Sequence, residues 1–345
     1  MADRESVFSD QRVIDLLNDR FVALTGDDWY WRRQQDAIGE FHRQVTDQGP
    51  RGGGSGTRQG RYVFTADGRL LGFNNNRSPE RLLAMLNQTL EEWQALPAEQ
   101  RSPRDGAALV GSSAELELEP RFDRRLPEGV TVLRCWTRAL EWDSAAQQWE
   151  ACASAAESGG GRPAGAMAAR DHLWLQAEEL AALAEQFAAL TDGETADLPE
   201  RLGHRLARFH LVDNTRGEPP MWNSGDIRDW TWQWQRINAD TARLTGSFDL
   251  ATNDGSRSYR GHLDGELAWQ PAAPNGNGAA RQLAALELRA LGLHEGQGSY
   301  TPGARPGATP LAVVLELVPD PQPADRVPPQ ASRDLHGYWQ AGINP

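Results

Sequence analysis

From Trp230 to Val318 the chain alternates apolar and polar residues with a period of two, broken by turn residues. Trp230-Thr-Trp-Gln-Trp-Gln opens the series, and residues 241–252, 259–270, 283–291 and 311–318 continue it. That period puts successive side chains on opposite faces of a strand, so it calls for a sheet with one buried face. Asn253-Asp-Gly and Asp264-Gly are hairpin or bulge signals. The pattern predicts a twisted antiparallel sheet, half a sandwich or an open barrel, with helices against it. Those helices are expected over residues 175–190, rich in Leu, Ala and Glu, and over 199–208. Further strands are expected over 114–119 and 129–136, and Ser158-Gly-Gly-Gly-Arg-Pro reads as a loop. The fold class is therefore α+β, with a Trp-rich antiparallel domain over residues 114–318. A linker precedes it over 97–113, and a Pro-rich surface strap follows over 319–345, ending near Tyr338 and Trp339.

The first 96 residues read differently. Residues 11–20 form a helix with Val13, Ile14, Leu16 and Leu17 on one side and Asp10 as N-cap. Residues 21–25 follow as a short buried strand, and 30–46 as a second helix carrying Ile38, Phe41 and Val45. After Gly52-Gly-Gly-Ser-Gly, residues 61–65 and 69–73 flank the turn Ala66-Asp-Gly as a hairpin. Ser78 and Pro79 then open a helix to about residue 96, as N-cap and first helical residue.

On this order of elements, and on "VFSDQRVIDLLNDRFVAL" and "RYVFTADGRLLGF", residues 7–95 resemble a thioredoxin-like domain after its active-site helix. The resemblance implies an α/β N-terminal domain, and it also shows what is missing. The first strand and its Cys-x-x-Cys are absent, and Gly56-Thr-Arg-Gln-Gly lacks the cis-proline expected before the hairpin. The only cysteines are Cys135 and Cys152, both beyond the resembling region. Thiol–disulfide exchange needs an attacking thiolate and a resolving partner, so this domain is expected to be a redox-inactive scaffold. A strand supplied from elsewhere is expected to fill the vacant central slot, because an open gap leaves backbone groups unpaired.

Composition narrows the chemistry. The chain contains no lysine, so Schiff-base, pyridoxal-phosphate and P-loop lysine chemistry are excluded. A net charge of −13 opposes binding to nucleic acid or an anionic membrane surface. No apolar run reaches the ~20 residues of a membrane helix. A cytoplasmic protein is expected, unless the natural N-terminus lies upstream and carries a signal peptide. In a reducing compartment Cys135 and Cys152 are expected to stay free.

Three clusters are candidates for function. Residues 204–218 hold His204, His210, Asp213, Asn214, Arg216 and Glu218. His210, Asp213 and Glu218 would suit a divalent metal, joined by His172 or His262 across the fold. The alternative is a helix end followed by a hydrogen-bonded turn. Trp230, Trp232 and Trp234 share one strand face and, with Trp222 and Arg216, would form an aromatic platform for an apolar ligand, a sugar or a protein partner. Their alternative is ordinary core packing. Asp27 and Asp28, before Arg32 and Arg33, read as an ion site or as a capped helix start. Glu40 and His42 have no evident partner. Gly52-Gly-Gly-Ser-Gly precedes a strand rather than a helix and is a poor phosphate cradle.

These features favour a non-enzymatic protein that captures a protein or small ligand between its two domains, with no cofactor. A metal-dependent enzyme at 204–218 and a carbohydrate-binding module are the alternatives.

Overall fold

The computed structural model describes residues 7–8, 10–54, 56–76, 78–101, 125–151, 168–271, 281–299, 301–329 and 335–340. The chain divides into two compact units, residues 2–123 and 124–345. The expected strand at 114–119, most of the linker, the loop at 158–163 and Cys152 lie outside the described residues.

In the N-terminal unit, α1 spans Gln11–Arg20 and begins where expected, with the Asp10 carboxylate accepting from Arg12 N–H. The stretch at 21–25 is not a buried strand. It forms no ladder, and Val22 and Leu24 are 94% and 61% exposed. The single helix expected over 30–46 is divided into α2 (Asp28–Trp31) and α3 (Ala37–Thr46). Each piece has its own aspartate cap: Asp27 accepts from Trp29 N–H and Asp36 from Gly39 N–H. Local capping thus prevails over the longer apolar period. Hairpin β1 (Arg61–Phe64) and β2 (Leu70–Asn74) forms as expected, around Gly68 at φ 84°. Helix α4 (Pro79–Ala95) starts at the Ser78 cap, and a short α5 (Ala98–Arg101) occupies the start of the expected linker. Val7 and Val13 meet Leu82 and Leu86 in this unit's core.

The C-terminal unit is built on a nine-stranded sheet. In chain order its elements are β3 (Thr131–Asp143), β4 (Gln148–Ala151), β5 (Ala169–Leu175), α6 (Ala177–Ala189), β6 (Thr195–Asp197) and α7 (Glu200–His210). Then follow β7 (Ile227–Arg236), β8 (Thr241–Ala251), β9 (Arg257–Pro271), β10 (Arg281–Gly296), β11 (Thr309–Leu317) and α8 (Leu335–Trp339). The spatial order is β4-β3-β11-β10-β9-β8-β7-β6, with β5 also paired to β3, and every pairing is antiparallel. This bears out the α+β class and the mostly antiparallel sheet.

Period two decides which face is buried. On β8, Ala242, Leu244, Phe248 and Leu250 point inward; on β9, Tyr259, Leu263, Leu267 and Trp269 do. A bulge between Leu283 and Ala285 shifts β10 by one residue, so Leu288, Ala290 and His294 take over the inward side. Helices α6 and α7 cover this face through Leu183, Phe187, Leu202 and Leu206. Gly203 sets how closely α7 approaches β7, since a Cβ there would lie 2.4 Å from Nε1 of Trp230. Strand β5 is buried on both faces. Its other side meets a second small core of Val132, Trp174, Phe209, Val318 and Tyr338. The C-terminal segment is therefore not a purely surface strap, because Tyr338 is fully buried. Among the described residues no helix is long and apolar enough to cross a membrane.

Candidate functional site

Helix α7 is amphipathic, but its non-core side is not left to water. Arg205 is fully buried, its guanidinium bonded to both oxygens of Glu179 at 2.8 and 2.6 Å. The same guanidinium lies 5.2 Å from the Tyr338 ring centroid and 5.1 Å from that of Trp339. At the helix end, His210 Nε2 is 3.0 Å from the Tyr338 hydroxyl, and His210 Nδ1 is 3.5 Å from Asp171 Oδ2. The Trp174 amide donates to that hydroxyl at 3.2 Å, and Arg201 Nε donates to the Trp339 carbonyl at 2.7 Å. Burial pushes the Tyr338 phenol well above its ordinary value, so it stays protonated near neutrality.

Asp325 ties the segment before α8 to the sheet. It accepts from Arg134 at 2.8 and 3.1 Å and lies 3.6 Å from His172 Nε2. Burial alone would raise its pKa, but the Arg134 bonds outweigh this and hold the carboxyl below the usual value. Burial likewise lowers the pKa of His172.

The loop after α7 forms a separate network. Asp213 Oδ1 accepts from Thr215 N–H at 3.0 Å and from its hydroxyl at 2.6 Å, and Oδ2 accepts from Arg216 Nε at 2.7 Å. Arg216 also donates to the carbonyls of Thr301 and Gly296. Burial opposes ionisation of Asp213, yet Arg216 and Thr215 prevail and its pKa is lowered. Nearby, burial pulls His294 down to about 4 and Arg257 down to about 10. Arg257 lies 3.9 Å over the Trp222 ring and donates to the carbonyls of Pro220 and Met221.

His210 and Asp213 therefore serve different networks, and Glu218 is half-buried. Among the described residues no group of three or more His, Cys, Asp and Glu side chains is arranged to hold a metal ion. The expected His210–Asp213–Glu218 ligand set is thus not assembled. His172 is buried beside Asp325, and His262 is exposed. Asp27 caps α2, and Asp28 accepts from the Thr57 hydroxyl and the Arg58 amide, as expected of a capped helix start.

The predicted aromatic platform is also interior. Trp222 and Trp234 are fully buried, Trp232 is 8% exposed, and Trp230 packs against the same core. The inward pull of this sheet face leaves no open indole surface for a sugar ring. The exposed indoles, which the sequence reading missed, are Trp142, Trp149 and Trp93.

Trp232 instead lines a cavity. Between the inward face of the sheet and helices α6 and α7 lies a void of about 30 Å³, bounded by 14 leucines together with Trp232 and Trp269. They come from β3, β5, β7, β8, β9, β10, β11, both helices and the turn before α7, and none presents a polar atom to the space. The sequence signal for it was the leucine content of those segments, which period alone assigns to solid core.

No protein-family model, no curated protein and no solved structure matches the chain.

Proposed function

We propose that the chain is a non-enzymatic binding protein whose C-terminal unit takes a small apolar ligand into the leucine-lined cavity. The observation that carries this reading is the lining itself, 16 side chains without a polar atom. Such a surface recognises hydrocarbon and gives no handle for chemistry. Left empty, a 30 Å³ void costs about 0.7 kcal/mol in lost packing. Leucine walls adapt. A core built largely of one flexible residue is weakly specified, so rotamer changes enlarge the space at modest cost. The N-terminal unit is assigned a scaffold role with a thioredoxin-like order of elements and no thiol chemistry, supported by the absence of cysteine before Cys135.

The test is titration with xenon, benzene and a short series of n-alkanes. Occupancy should change the emission of Trp232 and Trp269 saturably and stabilise the C-terminal unit by mass action. Leu244→Ala, which widens the cavity, should shift the preference to larger members of the series. If neither the native chain nor the variant binds any of them saturably, this reading fails.

A further inference from the structure

Trp142 and Trp149 are the most exposed indoles of the chain, at 48% and 43%. They stand directly opposite each other on the β3–β4 hairpin, with ring centroids 5.0 Å apart and planes at 71°. Cross-strand packing of this kind stabilises a hairpin, but burying the pair would release far more free energy than leaving it half in water. On the opposite face Glu141 stands directly across from Glu150, a like-charge pairing that weakens a ribbon. Asp143 adds a third carboxylate, and residues 139–151 contain no basic side chain. Among the described residues β4 pairs with β3 alone, so its other edge offers unpaired backbone groups.

We propose that this hairpin docks an extended, arginine-rich segment of a partner protein, added as a strand along the free edge of β4. An added strand sends alternate side chains to opposite faces. One set would lay guanidinium planes over the Trp149 and Trp142 rings, where the indole face attracts cations and the planar group stacks. The other set would reach Glu150 and Glu141 and relieve their repulsion. One segment thus satisfies both faces, which an uncharged strand cannot do. The −13 charge of the chain steers such a partner towards it.

The experiment titrates the full chain into a fluorescein-labelled octapeptide of alternating arginine and threonine, read by anisotropy. The control peptide has citrulline at each arginine position, keeping shape and hydrogen bonding but removing charge. The arginine peptide should bind saturably, and the citrulline peptide about tenfold more weakly. Trp149→Ala should weaken arginine-peptide binding by a similar factor, and Glu150→Gln by about threefold. If Trp149→Ala disorders the hairpin, Trp149→Tyr decides: it keeps an aromatic pair and should bind with intermediate affinity. Failure of the arginine peptide to bind overturns the proposal. So does equal binding of the two peptides, or equal binding by native chain and variants, which would mark diffuse attraction to an acidic protein.

Discussion

Arg205 offers the sharpest test of how the C-terminal unit is held together. Its side chain is fully buried and paired with Glu179, whose side chain is 15% exposed. Glu179 also accepts from the Gln176 amide at 2.9 Å at the start of α6, so the pair joins α6 to α7. Arg205→Met keeps the apolar stem but removes the charge, the paired hydrogen bonds and the contact with the Tyr338 and Trp339 rings. Breaking a buried ion pair from one side costs about 3–5 kcal/mol. Here the lower end applies, about 3 kcal/mol, because the remaining carboxylate keeps the Gln176 bond and some water. Glu179→Leu should cost more, about 4–5 kcal/mol, since a guanidinium cannot shed its proton and α6 loses its cap as well. The double variant should be less destabilised than the sum of the singles by about 2 kcal/mol. Urea denaturation followed by hydrogen exchange in β5 and α8 isolates this unit's transition from that of the N-terminal unit. A loss below about 1 kcal/mol for Arg205→Met, or strict additivity in the double variant, would show that the pair contributes nothing specific.

Two further expectations concern titration. Burial holds His294 neutral with a pKa of about 4, with Asp213 opposing the shift and Arg216 and Arg257 supporting it. The unfolded ring titrates near 6.5, so between these values the unfolded chain binds more protons and stability falls as pH is lowered. The loss amounts to about 3 kcal/mol at most, and His294→Gln should flatten the stability curve between pH 6.5 and 4; parallel curves would refute the assignment. Burial also pushes the Cys135 thiol well above its ordinary value, with Asp171 adding to the shift. Native protein should therefore leave Cys135 unlabelled by iodoacetamide while unfolded protein labels it, as read by peptide mass. Rapid labelling in the native state would contradict its burial.

The strands from β7 to β11 were legible because one face of each meets a single core and the other meets water, so period two survives in the residues. β5 was not legible. Ala-Arg-Asp-His-Leu-Trp-Leu carries no alternation because both its faces are covered, one by the main core and the other by Tyr338 and its neighbours. Its Asp171 and His172 read as surface residues until α7 and the C-terminal segment bring His210 and Asp325 to them. Helix starts at Asp10, Asp27, Asp36 and Ser78 depend on the next few residues only. Three of these caps were read directly, and Asp36 was masked by the apolar spacing that runs across it.

The tryptophans show where local pattern stops deciding. Thr231-Trp232-Gln233-Trp234 and Gln148-Trp149-Glu150 both set indoles between polar residues. One group lies in the core and the other in water. The difference lies in where each strand runs. β7 sits between β6 and β8, beneath α7. β3 outruns β11, whose last partner on it is Ala139, and beyond that point it pairs only with β4. Trp142 and Trp149 are exposed because the sheet has ended around them, not because their neighbours in sequence are polar. Carboxylates flank only the exposed pair, whereas the buried indoles have neutral Thr and Gln beside them. That difference is the one local mark separating the two groups, and it is the same feature on which capture of a cationic strand depends.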